Sequence, residues 1–258
     1  MPGYNSLIFK IPQESNDYAE CSAFATNAIE KIVSSAITHK QNQIIMQTNL
    51  KCGLPMENIN KIAGPLVEAW AYETFQSVLY NTNNEFALIY VEAMPKLDKA
   101  DMILQFQRKR NIDSGITAAV DVKSTSEDIK TSGKSPNITS FERIRSAYIQ
   151  DPDYLFVILS LKHRVYSVQN DNGLRACVME IVGSSAYDLK YLSESDISYN
   201  PALGMGQIQV KDIHYVTLVS RKTWDFCQIL DQKFIKSKKG FNEWFRLAVK
   251  NEWIKTND

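Results

Sequence analysis

The chain has 258 residues, 44% apolar and 22% charged, with 12 Tyr, 11 Phe and 4 Trp; that is ordinary globular composition, enough for one large domain with a real core or at most two small ones. Twenty-nine Lys and Arg balance 29 Asp and Glu, which argues against a loose nucleic-acid binder held by bulk charge. No apolar run approaches the roughly 18 residues of a membrane span, the N-terminus lacks the flank and core of a secretory signal, and Cys21, Cys52, Cys177 and Cys227 form no CxxC pair, so reduced thiols in a cytoplasmic protein with no membrane partner are expected.

The charge is unevenly placed. Residues 1–101 hold 11 acids against 7 Lys or Arg, and residues 221–255 hold 9 Lys or Arg against 4 acids. A neutral total can therefore hide a basic surface beside an acidic site.

In chain order, Phe24, Ala28, Ile32 and Ile37 predict a helix over 17–38. Residues 57–80 read as a long helix, interrupted or kinked at Gly64-Pro65, with a strongly amphipathic second half that carries Glu68. A turn at 81–84 leads to a strand over 85–92. Two strands follow, 101–106 and 116–124, joined by a polar, basic loop over 107–115. Residues 125–135 are an exposed loop. A helix over 139–150 and an apolar strand over 154–161 come next, then strands over 165–168 and 175–182. A short helix over 184–192, a loop over 198–206, a strand over 207–219 and helices near 222–238 and 241–255 complete the reading. Phe241, Trp244, Phe245, Ala248 and Trp253 form a stripe that reads as core or subunit interface. No repeat or composition break divides the chain, and a sheet with helices on both faces is the natural packing.

The chemistry concentrates in Asp101 and the run Val120-Asp121-Val122-Lys123. Alternate residues of a strand share a face, so Asp121 and Lys123 project together while Val120 and Val122 face the other way. Two carboxylates from neighbouring strands, with an ammonium beside them, make a site for a divalent metal and suit phosphodiester cleavage. Hard oxygen ligands favour magnesium. An exposed hairpin explains Asp98 and Lys99, but not Asp121 and Lys123, which sit between apolar residues in mid-strand. Glu68 on the preceding helix adds an acid.

Other signatures fail. Ser132-Gly133-Lys134-Ser135 lacks the earlier glycine of a phosphate loop, since position 128 is Asp128. Gly204-Met205-Gly206 lacks a third glycine, no Gly-x-Ser-x-Gly occurs, and His39, His163 and His214 stand alone, which disfavours zinc. His163 and His214 read as packed or solvated strand residues. Arg143 and Arg145 read as meeting phosphates or acids.

The order helix, strand, strand with Asp, strand with D-x-K, helix, strand resembles the PD-(D/E)xK nuclease superfamily, with Ala100 where a proline usually precedes the first acid. Ala100–Leu104, Val120–Ser124 and Ser135–Ile138 resemble the HincII family of Type II restriction endonucleases, in the blunt-cutting branch that also holds EcoRV. Tyr199–Ala202 with Gln207–Asp212 gives a second matching block, and Gly64-Pro65 through Glu68 a weaker third. The resemblance implies an α/β restriction-endonuclease-like core, a mixed central sheet flanked by helices. It implies a single endonuclease domain over 1–258, with a catalytic core about 57–162 and a DNA-reading and C-terminal helical part about 163–258.

By the same resemblance, Asp101 and Asp121 would ligate Mg2+, the Val122 carbonyl would complete that side, and Lys123 would orient and help deprotonate the attacking water. Ser135, Pro136 and Asn137 would lie near the minor groove, with Asn200 and Ala202 on the loop that reads the major groove. Lys134 stands where a wedging glutamine would be, which favours a phosphate contact. The longer 107–115 connection offers Arg108, Lys109 or Arg110 to DNA. Asn137, Asn200, Gln207 and Gln209 carry side chains able to pair with base edges.

The expected activity is magnesium-dependent, sequence-specific hydrolysis of double-stranded DNA to 5'-phosphate and 3'-hydroxyl ends. The site would be a short palindrome cut bluntly by a homodimer, with a cognate methyltransferase in the same restriction–modification system but not as a subunit. Unspecific degradation would point instead to a repair or structure-selective nuclease. A missing acid or lysine would point to an inactive DNA-binding module, and here all three are present.

Overall fold

The computed structural model describes residues 3–81, 84–95, 98–107, 115–169, 173–202, 204 and 206–255, and of Glu57 the backbone alone. The first elements in chain order are α1 (Tyr18–Thr38), β1 (Gln43–Met46), α2 (Met56–Ile59), α3 (Ala63–Leu79), β2 (Leu88–Ala93), β3 (Met102–Gln107) and β4 (Gly115–Ser126). Then come β5 (Asn137–Ser140), α4 (Phe141–Gln150), β6 (Leu155–Gln169), β7 (Arg175–Asp188), β8 (Ile197–Asn200), β9 (Gln207–Val210), α5 (Thr223–Ile235) and α6 (Gly240–Lys250). The chain divides into two compact units. Ala23–Gly133 with Val157–Tyr187 form one, and Met1–Ser22, Lys134–Phe156 and Asp188–Asp258 form the other.

The first unit is built on a mixed six-stranded sheet in the order β1-β7-β6-β4-β3-β2. The β1/β7, β2/β3 and β3/β4 pairs are antiparallel. Helix α3 packs against β2 and β4, and Phe24 of α1 meets Phe106 of β3 edge-on at 6.2 Å. This is the expected α/β core with helices flanking a mixed sheet. Strand β4 lies between β3 and β6, so Ala118, Val120 and Val122 are buried.

The second unit holds a small antiparallel sheet, β5-β9-β8, and helices α4, α5 and α6, with α5 packed on both of the others. Its core includes Phe141, Tyr148, Phe226, Phe234, Trp244 and Trp253. Arg145 is fully buried and meets an acid: its Nε donates to Asp231 Oδ1 at 3.0 Å and its Nη2 to Oδ2 at 3.1 Å. Tyr4 Oη and Trp244 Nε1 also donate to Asp231, each at 2.9 Å. The two ends of the chain pair, with Lys10 N–H on the Trp253 carbonyl at 2.9 Å and Lys255 N–H on that of Ile8 at 2.8 Å.

Several expected elements differ in extent. The helix expected over 57–80 is two helices, broken at 60–62. Gly64-Pro65 fall in the first turn of α3, where a proline forfeits no helical hydrogen bond, so they mark a start and not a kink. The strand expected over 165–168 is the continuation of β6, and the helix expected over 184–192 is the end of β7 followed by a single 3-10 turn at Leu189–Tyr191. The strand expected over 207–219 stops at Val210. Asp212 then takes the His214 N–H on Oδ1 at 3.0 Å and the Tyr215 N–H on its carbonyl at 3.2 Å, which turns the chain. The helix expected from 139 begins at Phe141, because Asn137–Ser140 pair as β5. All four cysteines are free thiols, and no described helix is long and apolar enough to cross a membrane.

Candidate active site and nucleic-acid interface

The turn before β3 explains how Asp101 and Asp121 come together. Asp101 N–H donates to the Val120 carbonyl at 3.0 Å, and Asp101 Oδ2 accepts the Val122 N–H at 2.7 Å. Backbone and side chain of one aspartate thus bracket Asp121 on the neighbouring strand. Two positions along β4, Lys123 Nζ lies 2.7 Å from both carboxylate oxygens of Asp121.

Asp121 is 4% exposed, and a buried carboxylate loses its hydration. Burial pushes its carboxyl up to about 7 against the pull of Lys123, and the charges of Asp101 and Glu68 add to the rise. Oδ1 takes an aligned hydrogen bond from Lys123, while Oδ2, equally near the ammonium, has no aligned donor. A buried anionic oxygen in that state fits a hard divalent cation. Glu68 lies half-buried on α3, within electrostatic reach of Asp121. Among the described residues no three His, Cys, Asp or Glu side chains are arranged around one metal position. The donors at hand are therefore the two carboxylates and main-chain oxygen.

Behind the D-x-K strand lies a polar chain that sequence reasoning missed. Ser124 Oγ is 3.0 Å from His163 Nδ1, and His163 Nε2 is 2.9 Å from Asn60 Oδ1. His163 is 2% exposed, a packed strand residue as expected, and burial holds its imidazole below the ordinary value despite Asp128. Its partners lie 39 and 103 residues away along the chain, so no local pattern could have found them.

The second unit gathers most of the other candidates on its small sheet. Asn200 pairs with Gln207 across β8 and β9, and Asn137 pairs with Gln209 across β5 and β9. Ile197, Ile208 and Val210 are buried, whereas Asn137 is exposed and Asn200, Gln207 and Gln209 are partly exposed, so the pleat sorts amides from the apolar core. Gln209 Nε2 donates to the Ser135 carbonyl and to Asn137 Oδ1, both at 3.0 Å. Asn200 Oδ1 accepts the Ala202 N–H at 3.0 Å, and Ala202 is exposed. Ser135 holds a left-handed φ of 50° beside half-buried Pro136. Lys134 is ion-paired with Asp212. Arg108, Lys109 and Arg110 lie outside the described residues.

A family model for the Type II restriction endonuclease HpaI matches residues 5–252. The chain belongs to this family. Type II restriction enzyme HpaI of Haemophilus parainfluenzae is 51% identical to it over 254 residues, which cover 98% of this chain and 99% of that relative. The HpaI-family match identifies a Type II restriction endonuclease, a site-specific deoxyribonuclease of restriction–modification systems. Such enzymes act on double-stranded DNA and generally use divalent metal ions.

Proposed function

We propose that this endonuclease uses Mg2+ to cut both strands of a short palindrome to blunt ends, leaving 5'-phosphate and 3'-hydroxyl groups. The observation that carries the reading is the buried Asp121 carboxylate, bracketed by Asp101, with one oxygen lacking an aligned donor beside the Lys123 ammonium. Asp101, Asp121 and the Val122 carbonyl would hold the metal. When bound, the ion would offset charge on the phosphodiester and lower the pKa of water. Asp101 fixes the main chain at Val122 and so aims the carbonyl that follows. Lys123 Nζ orients the attacking water and helps to remove its proton by stabilising the hydroxide that forms. Glu68 supplies further negative charge on the flank and helps to attract the cation.

Asn137, Asn200, Gln207 and Gln209 are read as the residues that hydrogen-bond base edges, a good paired contact being worth about 1–3 kcal/mol of discrimination. Lys134, Ser135, Pro136 and Ala202 line that surface, and Arg108 and Lys109 add phosphate contacts. In this reading the chain works as one endonuclease domain of the PD-(D/E)xK superfamily with a HincII-like arrangement. It acts as a cytoplasmic homodimer, one subunit per strand, because a two-fold protein mirrors a palindrome. A separate methyltransferase protects the host's copies of the site.

Digestion of a plasmid of known sequence, with the fragment ends sequenced, tests site, cut position and end structure together. Discrete blunt fragments are expected with Mg2+, and none from Asp121→Asn or Lys123→Ala. Staggered ends or random degradation would refute the reading. Light scattering should give a dimer; a monomer both free and on DNA would remove the two-fold argument.

A further inference from the structure

Lys134 is half exposed, yet its ammonium is already held by Asp212. The contact is part of a larger seam. Lys134 and Asp212 form an isolated backbone bridge, Ser135 N–H donates to the Lys211 carbonyl at 3.0 Å, and Gln209 grips Ser135 and Asn137 from the neighbouring strand. Asp212 is itself fixed, since Oδ1 accepts the His214 N–H at 3.0 Å. Burial works against its charge, but the bonds from Lys134 and His214 hold its carboxyl below the usual range. The strained φ of 50° at Ser135 sits next to this pair, where a loose lysine would leave the segment free to relax.

We infer that Asp212 is a specificity-determining residue: it neutralises and positions Lys134, so that this lysine is not a free cation when the amide-lined surface meets unselected DNA. The inference rests on the reading of residues 134–137 as DNA-facing. An unpaired lysine there would attract any duplex, because phosphate contacts carry no sequence information. Held by Asp212, the ammonium keeps N–H groups to spare and donates to a phosphate only where the segment is seated in register. The carboxylate therefore lowers affinity for wrong sequences more than for the right one.

The test uses the full-length chain, a short duplex carrying the mapped site, and a scrambled duplex of the same composition. Binding to the scrambled duplex is measured against salt with divalent metal chelated, and kcat/KM is measured on the mapped duplex with Mg2+. Asp212→Asn keeps an oxygen for the His214 N–H and removes the charge. It should bind the scrambled duplex several-fold more tightly, with a salt slope steeper by about 0.9, the equivalent of one added phosphate contact. Adding Lys134→Ala to Asp212→Asn should cancel both changes. An unchanged scrambled-duplex affinity in Asp212→Asn, or a gain that survives Lys134→Ala, overturns the inference. Lys134→Ala alone separates the two levels. If it leaves kcat/KM on the mapped duplex at the wild-type value, the DNA-facing reading has failed. If it lowers kcat/KM while Asp212→Asn changes nothing, only the role of Asp212 has failed.

Discussion

Asp121 faces two opposed demands. The proposed metal site calls for its charge, and its burial opposes that charge. A carboxyl moved from 3.8 to about 7, at about 1.4 kcal/mol per unit, marks a fold that tolerates an ionised group at a cost on the order of 4 kcal/mol as an upper limit. Asp121→Asn should therefore unfold at higher denaturant than wild type when metal is chelated, and lose cleavage. A lower unfolding midpoint would contradict this account. Mg2+ should raise the wild-type midpoint and leave that of the variant unmoved, because only a bound ligand stabilises. His163 gives the pH dependence. Its folded pKa lies below the ordinary 6.5, so the unfolded chain takes the proton first. Its contribution is absent above pH about 6.5 and becomes a loss of stability as the pH falls below that value. Urea midpoints at pH about 7.5 and about 5.5 should differ less in His163→Gln than in wild type. Asp121 and Lys123 were legible because charges in mid-strand violate the apolar pattern around them. Asn60 and Ser124 were not, because each resembles an ordinary polar residue until a distant imidazole is placed between them.

At the scale of elements, long helices and apolar strands announced themselves, and the four-residue strands β1, β5 and β8 did not. Two repeats of an alternating pattern are too few to stand out from a polar loop, and their pairing comes from strands far along the chain. The loop after β8 depends on Gly206, whose φ is 89° and where a Cβ would fall 1.9 Å from Tyr199 Oη. Tyr199 packs against Phe141 and Phe234 and cannot retreat cheaply. Gly206→Ala should lower stability by at least about 1–3 kcal/mol, the cost of a strained backbone alone. It should also raise KM on the mapped duplex more than it lowers kcat, since Asn200 and Gln207 flank the loop. An effect on kcat alone would argue against a reading role for β8 and β9.

For the molecule as a whole, the division into two compact units left little mark in the sequence: the boundaries at Ser22, Phe156 and Tyr187 fall inside α1, β6 and β7, and only the one at Gly133 falls in the polar loop over 125–135. Composition shifts mark linkers, and continuous elements run through three of the four boundaries. The buried Arg145–Asp231 pair joins α4 to α5 and recruits Tyr4 and Trp244. Asp231→Ala would strand a buried guanidinium and should destabilise by about 3–5 kcal/mol. A loss below about 1 kcal/mol in a urea titration would mean that the pair is structurally idle. The basic excess over 221–255 lies in this same unit, beside the amide-bearing sheet in the chain though not in its local patterning.

The interleaving of the units also has a meaning in time. Every residue of the six-stranded unit has been translated once Tyr187 is made, whereas the other unit lacks its third segment until Asp188–Asp258 emerges. Trp244 and Trp253, buried in that unit's core, lie in this third segment. Synthesis runs from the N-terminus and folding follows it. A ribosome therefore completes the acids and lysine of β3 and β4 well before β8 and β9, on which sequence choice is proposed to depend.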